Sequence, residues 1–303
     1  MFKHLLIPLD GSRLAESALG PAAYLVETLG ASATLLHVIE RNAPEKIHGD
    51  RHLTTIEEAH AYLAQVVKRH FPGGAPVDRH VHTAEVSDVP ASIETHAREL
   101  GADLIVMCTH GSGGLHTWLF GSIAQQVIAL GTTPVLLVHP TSEDATPKFA
   151  CHRLLLPLDG NGEHEHALPV SAGLARKIQA DVHLLMVVRT RETLAREQWA
   201  TAKLLPGAAS VMLDLFQQSA EIYMESQVEA LQDQGITVHG EVRRGEPSSS
   251  IVGAAQHVKA DLIVMGTHGK THMDAFWSGS VAPRVSSHSR VPLLLVPVGE
   301  SAP

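Results

Sequence analysis

The chain is written twice. HLLIPLDGS at 4–12 returns as RLLLPLDGN at 153–161, an offset of 149 residues, and ADLIVMCTHG at 102–111 returns as ADLIVMGTHG at 260–269, an offset of 158. TLLHV at 34–38 against HLLMV at 183–187 keeps the smaller offset, so the nine extra residues of the second copy enter after residue 187, within 188–244. GSIAQQV at 121–127 followed by PVLLVHP, against GSVAPRV at 279–285 followed by PLLLVPV, closes each copy. A fold built from repeats is misread if the repeat is missed. Here each copy reads as a complete domain, 1–140 and 150–299. Between them TSEDATPKF (141–149) is polar, carries a proline and has no apolar period, which makes it a linker with the boundary near residue 145.

Within a copy, LLIPLD, TLLHV, VDRHVHTAEV, LIVM and PVLLVHP read as five strands. Several are unbroken apolar runs, the pattern of a parallel sheet covered on both faces. Helical patterns separate them at Arg13 to Leu29, Thr55 to Arg69, Pro90 to Leu100 and Ser122 to Leu130, with Gly30, Gly101 and Gly131 behind three of them as stops. Alternation of strand and helix predicts a doubly wound α/β sheet. In such sheets a ligand sits beyond the carboxyl ends of the strands, where the strand order reverses. The residues following strands one and four are therefore the ones to read for chemistry.

After strand four the second copy has Gly266-Thr267-His268-Gly269, nine residues, then Gly279-Ser280 opening a helix. An isolated pair of glycines after a strand more often makes only a turn. Two copies at one spacing, each with an Asp at the end of strand one, favour a ligand. Glycine lets backbone N–H groups approach an oxyanion, and a Gly-Ser helix start offers unpaired N–H groups, a positive dipole end and a hydroxyl.

These residues resemble the universal stress protein family, whose members close with G-x-x-G, nine residues, G-[ST] after a strand ending in a Met-Gly step. The resemblance covers nearly the whole chain. It implies two Rossmann-like five-stranded domains of strand order 3-2-1-4-5, forming a pseudo-dimer within one chain or a homodimer, and ATP with Mg²⁺ or another divalent cation as cofactor. Carried onto the second copy, Pro157, Leu158 and Asp159 would border the adenine, Val187 would pack on it or on the ribose, and Met265 and Gly266 would flank the sugar. Gly269, Gly279, Ser280 and Val281 would hold the phosphates. The corresponding first site, Asp10, Val38, Gly111, Gly121 and Ser122, is expected to be weaker, because Cys108 stands where the second copy has Gly266 and Ser87 where it has Gly245. Ala124 and Ala282 occupy a position where many ATP-binding members carry a second hydroxyl, which thins both phosphate shells.

Other signals are weaker. Gly269-Lys270-Thr271 ends like a P-loop but has Val264 where the motif needs glycine, and no G-x-G-x-x-G follows a strand. His80 with His82, and His164 with His166, have the spacing that can put two imidazoles on one side. Without Cys partners or an H-E-x-x-H helix, however, the sequence assigns no metal site. Cys108 reads as a small buried residue rather than a reactive thiol. Residues 189–210 of the insertion read either as a lid over the site or as a passive extension of the following helix that packs on the partner domain; that helix contains Val211, Leu215, Ile222, Val228 and Leu231.

The formal charge of −9 argues against a nucleic-acid partner. No stretch is long enough to span a membrane and the N-terminus lacks a signal-peptide core, so a cytoplasmic protein is expected. Two cysteines cannot build a disulfide framework. The resulting expectation is a stress-response protein that binds an adenine nucleotide chiefly in its second domain and acts as a regulator or sensor. No general base is visible for more than weak hydrolysis. The alternatives are a nucleotide-free module with a protein partner, and a slow ATPase or adenylate-handling enzyme.

Overall fold

The computed structural model describes residues 1–109, 122–140, 149–161, 165–193, 206–267 and 281–297. The chain divides into two compact units, the first taking Met1–Ala150 together with the C-terminal strand, the second opening at Cys151.

The first unit contains β1 (His4–Pro8), β2 (Ser32–Glu40), a short hairpin of β3 (Lys46–Ile47) and β4 (Asp50–Arg51), β5 (Val77–Val86), β6 (Leu104–Cys108) and β7 (Val135–Val138). Apart from the hairpin these strands lie in the order β5-β2-β1-β6-β7, every neighbouring pair parallel. Leu5, Leu6 and Ile7 of β1 are fully buried, as are all residues of β6 and β7 within a few per cent. Strands apolar on both faces need helices on both faces. The unit supplies α1 (Arg13–Glu16), α2 (Leu19–Leu29), α3 (Ile56–His70), α4 (Val89–Glu99) and α5 (Ser122–Leu130). Ser12, Thr55 and Asp88 cap α1, α3 and α4 by accepting the N–H groups of Ala15, Glu58 and Ala91.

One expected helix is interrupted. The pattern over Arg13 to Leu29 predicts a single helix, but α1 ends at Glu16 and α2 begins at Leu19. Pro21 is the cause: it has no N–H for the carbonyl of Ser17 four residues back, and its ring crowds that carbonyl. The chain closes the gap with tighter bonds, Ser17 N–H to Leu14 O and Ala18 N–H to Ala15 O, each 3.1 Å. Gly30 then ends α2 at φ +65° and Gly101 follows α4 at φ +66°, left-handed positions that favour glycine.

The second unit has β8 (Arg153–Leu158), β9 (Asp181–Val188), β10 (Val238–Arg244) and β11 (Leu262–Thr267) in the order β10-β9-β8-β11, again parallel. Its helices are α6 (Ala167–Ile178), α7 (Pro206–Gln232), α8 (Pro247–Val258) and α9 (Val281–His288). The insertion thus feeds a helix of 27 residues where the first unit has one of 15. Ala209, Leu213, Ala220, Met224 and Leu231 form its buried face, while Val211, Leu215 and Ile222 are exposed. This face rests on β9 and β10 of its own unit.

The last strand, β12 (Leu293–Pro297), closes the second repeat in sequence but belongs to the first compact unit. It runs antiparallel to β7, with Leu293 opposite Leu137 and Leu295 opposite Val135. Both strands are apolar throughout, and an unpaired edge of that composition would be a template for aggregation.

Candidate functional site

In the second unit β8 ends at Leu158, and Asp159 turns the chain by accepting the N–H of Asn161 on Oδ1 at 3.0 Å. Gly160 holds φ +73°, and a Cβ there would lie 3.0 Å from Cε of Met186 on β9. Pro157, Leu158 and Val187 are half-buried, Met265 is buried and Gly266 is half-exposed next to it on β11. These residues stand at the carboxyl ends of adjacent strands β9, β8 and β11, and Val281 opens α9. Gly269, Gly279 and Ser280 lie outside the described residues, as do His268, Lys270 and Thr271.

Among the neighbours of this strand end, Tyr223, Glu165, Glu246 and Arg284 were not singled out by the sequence. Tyr223 of α7 donates a hydrogen bond to the carboxylate of Glu165. Burial raises the Tyr223 phenol pKa most, followed by the bond to Glu165, its charge and the charge of Asp159. The long helix therefore reaches the vicinity of the Asp159 turn. Beyond β10, Gly245 donates its N–H to Val188 O at 3.0 Å, and Glu246 caps α8 by accepting the N–H of Ser249 at 2.8 Å. Burial works to raise the Glu246 carboxyl, but hydrogen bonds from Ser249 and Ser248 outweigh it and hold the group at about 2. Arg284 of α9 stands 3.7 Å from the same carboxylate.

The first unit is arranged differently at the matching place. Asp10 makes the same turn, accepting the N–H of Ser12 at 2.8 Å, and Gly11 holds φ +89°. A Cβ at Gly11 would come within 2.7 Å of Leu53, which follows the β3–β4 hairpin. His37, the counterpart of Met186 in the repeat, is 1% exposed and donates from Nδ1 to Leu9 O at 2.7 Å, with Nε2 3.3 Å from Leu53 O. Burial lowers the His37 pKa, against the pull of those two carbonyls. Asp10, His37, Ile47, His52, Met107 and Cys108 line a cavity of about 80 Å³ here. Val38 is buried beside it and Ser122 opens α5, whereas Gly111 and Gly121 lie outside the described residues. Burial, then the charge of Asp10, pushes the Cys108 thiol up to about 12, and burial with Asp261 does the same for Cys151. Such thiols are inert at neutral pH. Ala124 and Ala282 are both buried.

The family model for the universal stress protein family matches the chain twice, over residues 1–139 and 151–297. The chain belongs to the universal stress protein family. A universal stress protein of Methanocaldococcus jannaschii is 29% identical over 146 residues, 48% of this chain and 81% of the relative. One from Mycobacterium tuberculosis is 26% identical over 199 residues, 64% of this chain and 61% of the relative, so the match spans less than two thirds of that protein. Among solved structures, a universal stress protein from Archaeoglobus fulgidus superposes with a TM-score of 0.72 over 98% of both chains at 19% identity, a likeness of fold. The two universal stress protein domains thus share one scaffold and differ in what surrounds the end of strand one.

Proposed function

We propose that this universal stress protein binds an adenine nucleotide in its second unit, ATP with Mg²⁺ or another divalent cation foremost, and that occupancy is what it signals. The observation that carries this reading is the contrast between the two Asp-Gly turns. At Gly11 the space is taken by Leu53 and bordered by Cys108 and a buried His37, which supports a weak or empty first site. At Gly160 the nearest atom is the flexible end of Met186.

The donor set in the second unit suits a nucleotide. Leu158, Val187 and Met265 offer apolar surface to a purine, Asp159 a carboxylate, and Gly266 a close backbone approach. Gly269, Gly279, Ser280 and Val281 would hold the phosphates, where a helix start favours negative charge. A bound divalent cation would offset phosphate charge.

Nucleotide content of the purified full chain tests the reading. About one ATP or ADP per chain, released on denaturation and absent from Gly279→Val, is the expected result. No bound nucleotide, together with no affinity for added Mg-ATP, would overturn it. One observation favours a second reading, a protein-interaction module: α7 presents Val211, Leu215, Phe216 and Ile222 at 61, 55, 52 and 68% exposure.

A further inference from the structure

Strand β5 alternates its side chains, so His80 and His82 share one face while Val81, 7% exposed, enters the core on the other. The chain turns at Ser87 and Asp88 and returns as α4, which brings His96 against both. The ring centroids of His80 and His82 lie 4.8 and 4.9 Å from that of His96. One ring nitrogen from each of the three lies within 4.8 Å of the other two. His96 is 6% exposed, and its Nδ1 meets Ser92 O at 2.7 Å. A carbonyl only accepts, so Nδ1 carries the proton and Nε2 of the neutral ring presents a lone pair. This is the outer-shell bond that fixes tautomer and orientation in metal-bound histidines.

We propose that His80, His82 and His96 bind one divalent transition cation, Zn²⁺ in the first instance, with its fourth position open to the groove between β5 and α4. Zn–N bonds of 2.0–2.1 Å in a tetrahedron set ligand nitrogens about 3.3 Å apart. The rings must therefore close by up to roughly 1.5 Å, which rotation of the half-buried His80 and His82 supplies while His96 stays anchored. The groove, of about 670 Å³, is lined by Glu85, Asp88 and Glu99 against a single guanidinium, Arg41, whose Nη2 is already turned to Glu85 O at 3.4 Å. Three imidazoles and no thiolate select Zn²⁺, Cu²⁺ or Ni²⁺ over the oxygen-seeking Mg²⁺. The site shares no residue with the nucleotide site proposed above. Bound metal would fasten the sheet-edge strand β5 to α4.

The test is titration of Zn²⁺ into the untagged, chelator-stripped full chain, read by calorimetry and by competition with a chromogenic chelator. One saturable equivalent per chain is expected, weakened at least about 100-fold in His80→Ala and in His82→Ala, since losing a ligand costs more than the 10–100-fold typical of an outer-shell partner. The substitutions are made at His80 and His82 because these are half-buried, whereas His96 is packed in the core. Zn²⁺ should raise Tm in the parent chain and in neither variant. His183 and His239 stack at 5.1 Å on neighbouring strands of the second unit and provide the control. His239→Ala must bind as the parent does. Absence of a saturable equivalent, weak uptake spread over several, or full binding in both first-unit variants would each overturn the proposal.

Discussion

At the residue scale, the aspartate that opens each ADLIVM-type strand does the same physical work in both units. The Asp103 carboxylate accepts the N–H groups of Lys3 at 3.0 and 2.8 Å and of His4 at 3.0 Å, and Asp261 accepts those of His152 at 2.8 Å and Arg153 at 3.0 Å. Each clamps the start of the first strand of its repeat to the start of the fourth. Hydrogen bonds to a charged acceptor contribute about 1.5–3 kcal/mol. Asp261→Ala should therefore lower unfolding free energy by about 2 kcal/mol in a urea titration and leave unchanged any nucleotide bound at the proposed site, because the clamp lies at the opposite ends of the strands. The aspartates are visible in the repeat. Their partners are not, since pairing across about a hundred residues is made by the sheet and not by neighbouring sequence.

At the element scale, two contacts decide how helices of the second unit are seated. Glu246 caps α8 as a carboxylate held at about 2, against an ordinary 4.5. A carboxyl depressed in the folded state stabilises above its unfolded value and loses that contribution as pH falls through the folded one. Removal of a cap typically costs about 1 kcal/mol. Glu246→Gln should accordingly be about 1 kcal/mol less stable at pH 7, with the gap closing between pH 4.5 and 2, as followed by thermal melts across that range. Gly240 on β10 lets α7 approach closely: a Cβ there would lie 2.7 Å from Cγ2 of Val228 and from Cγ of Met224. Val228 is stiff at χ1 and cannot swing aside. Overpacking of this kind costs about 1–3 kcal/mol, so Gly240→Ala should lower the unfolding free energy in a urea titration by that amount, whereas Gly207→Ala, with nothing near its Cβ, should not lower it. The helix pattern alone identified a long apolar-rich segment here. It did not show that Leu213, Ala220 and Met224 face inward while Val211, Leu215 and Ile222 face outward.

At the scale of the whole molecule, the sequence by itself determined the twofold repeat, the alternation of strand and helix, the parallel sheets and the strand ends where a ligand is expected. These features rest on local periodicity and on a motif written twice, and both are carried by residues close together along the chain. Tertiary structure decided what the repeat could not express. Pro21 split a helix whose apolar pattern runs unbroken, because a missing N–H outweighs periodicity. Leu53 and the β3–β4 hairpin came to occupy the turn at Gly11, although nothing in their sequence points to it. The apolar final strands of the two repeats call for cover as sequences, but that β12 takes β7 of the same chain as its antiparallel partner is fixed only in the fold. His96 joined His80 and His82 only because the turn at Ser87 and Asp88 folds α4 back across β5. In each case the deciding contact joins residues far apart in the chain, and only the packed fold fixes which of them meet.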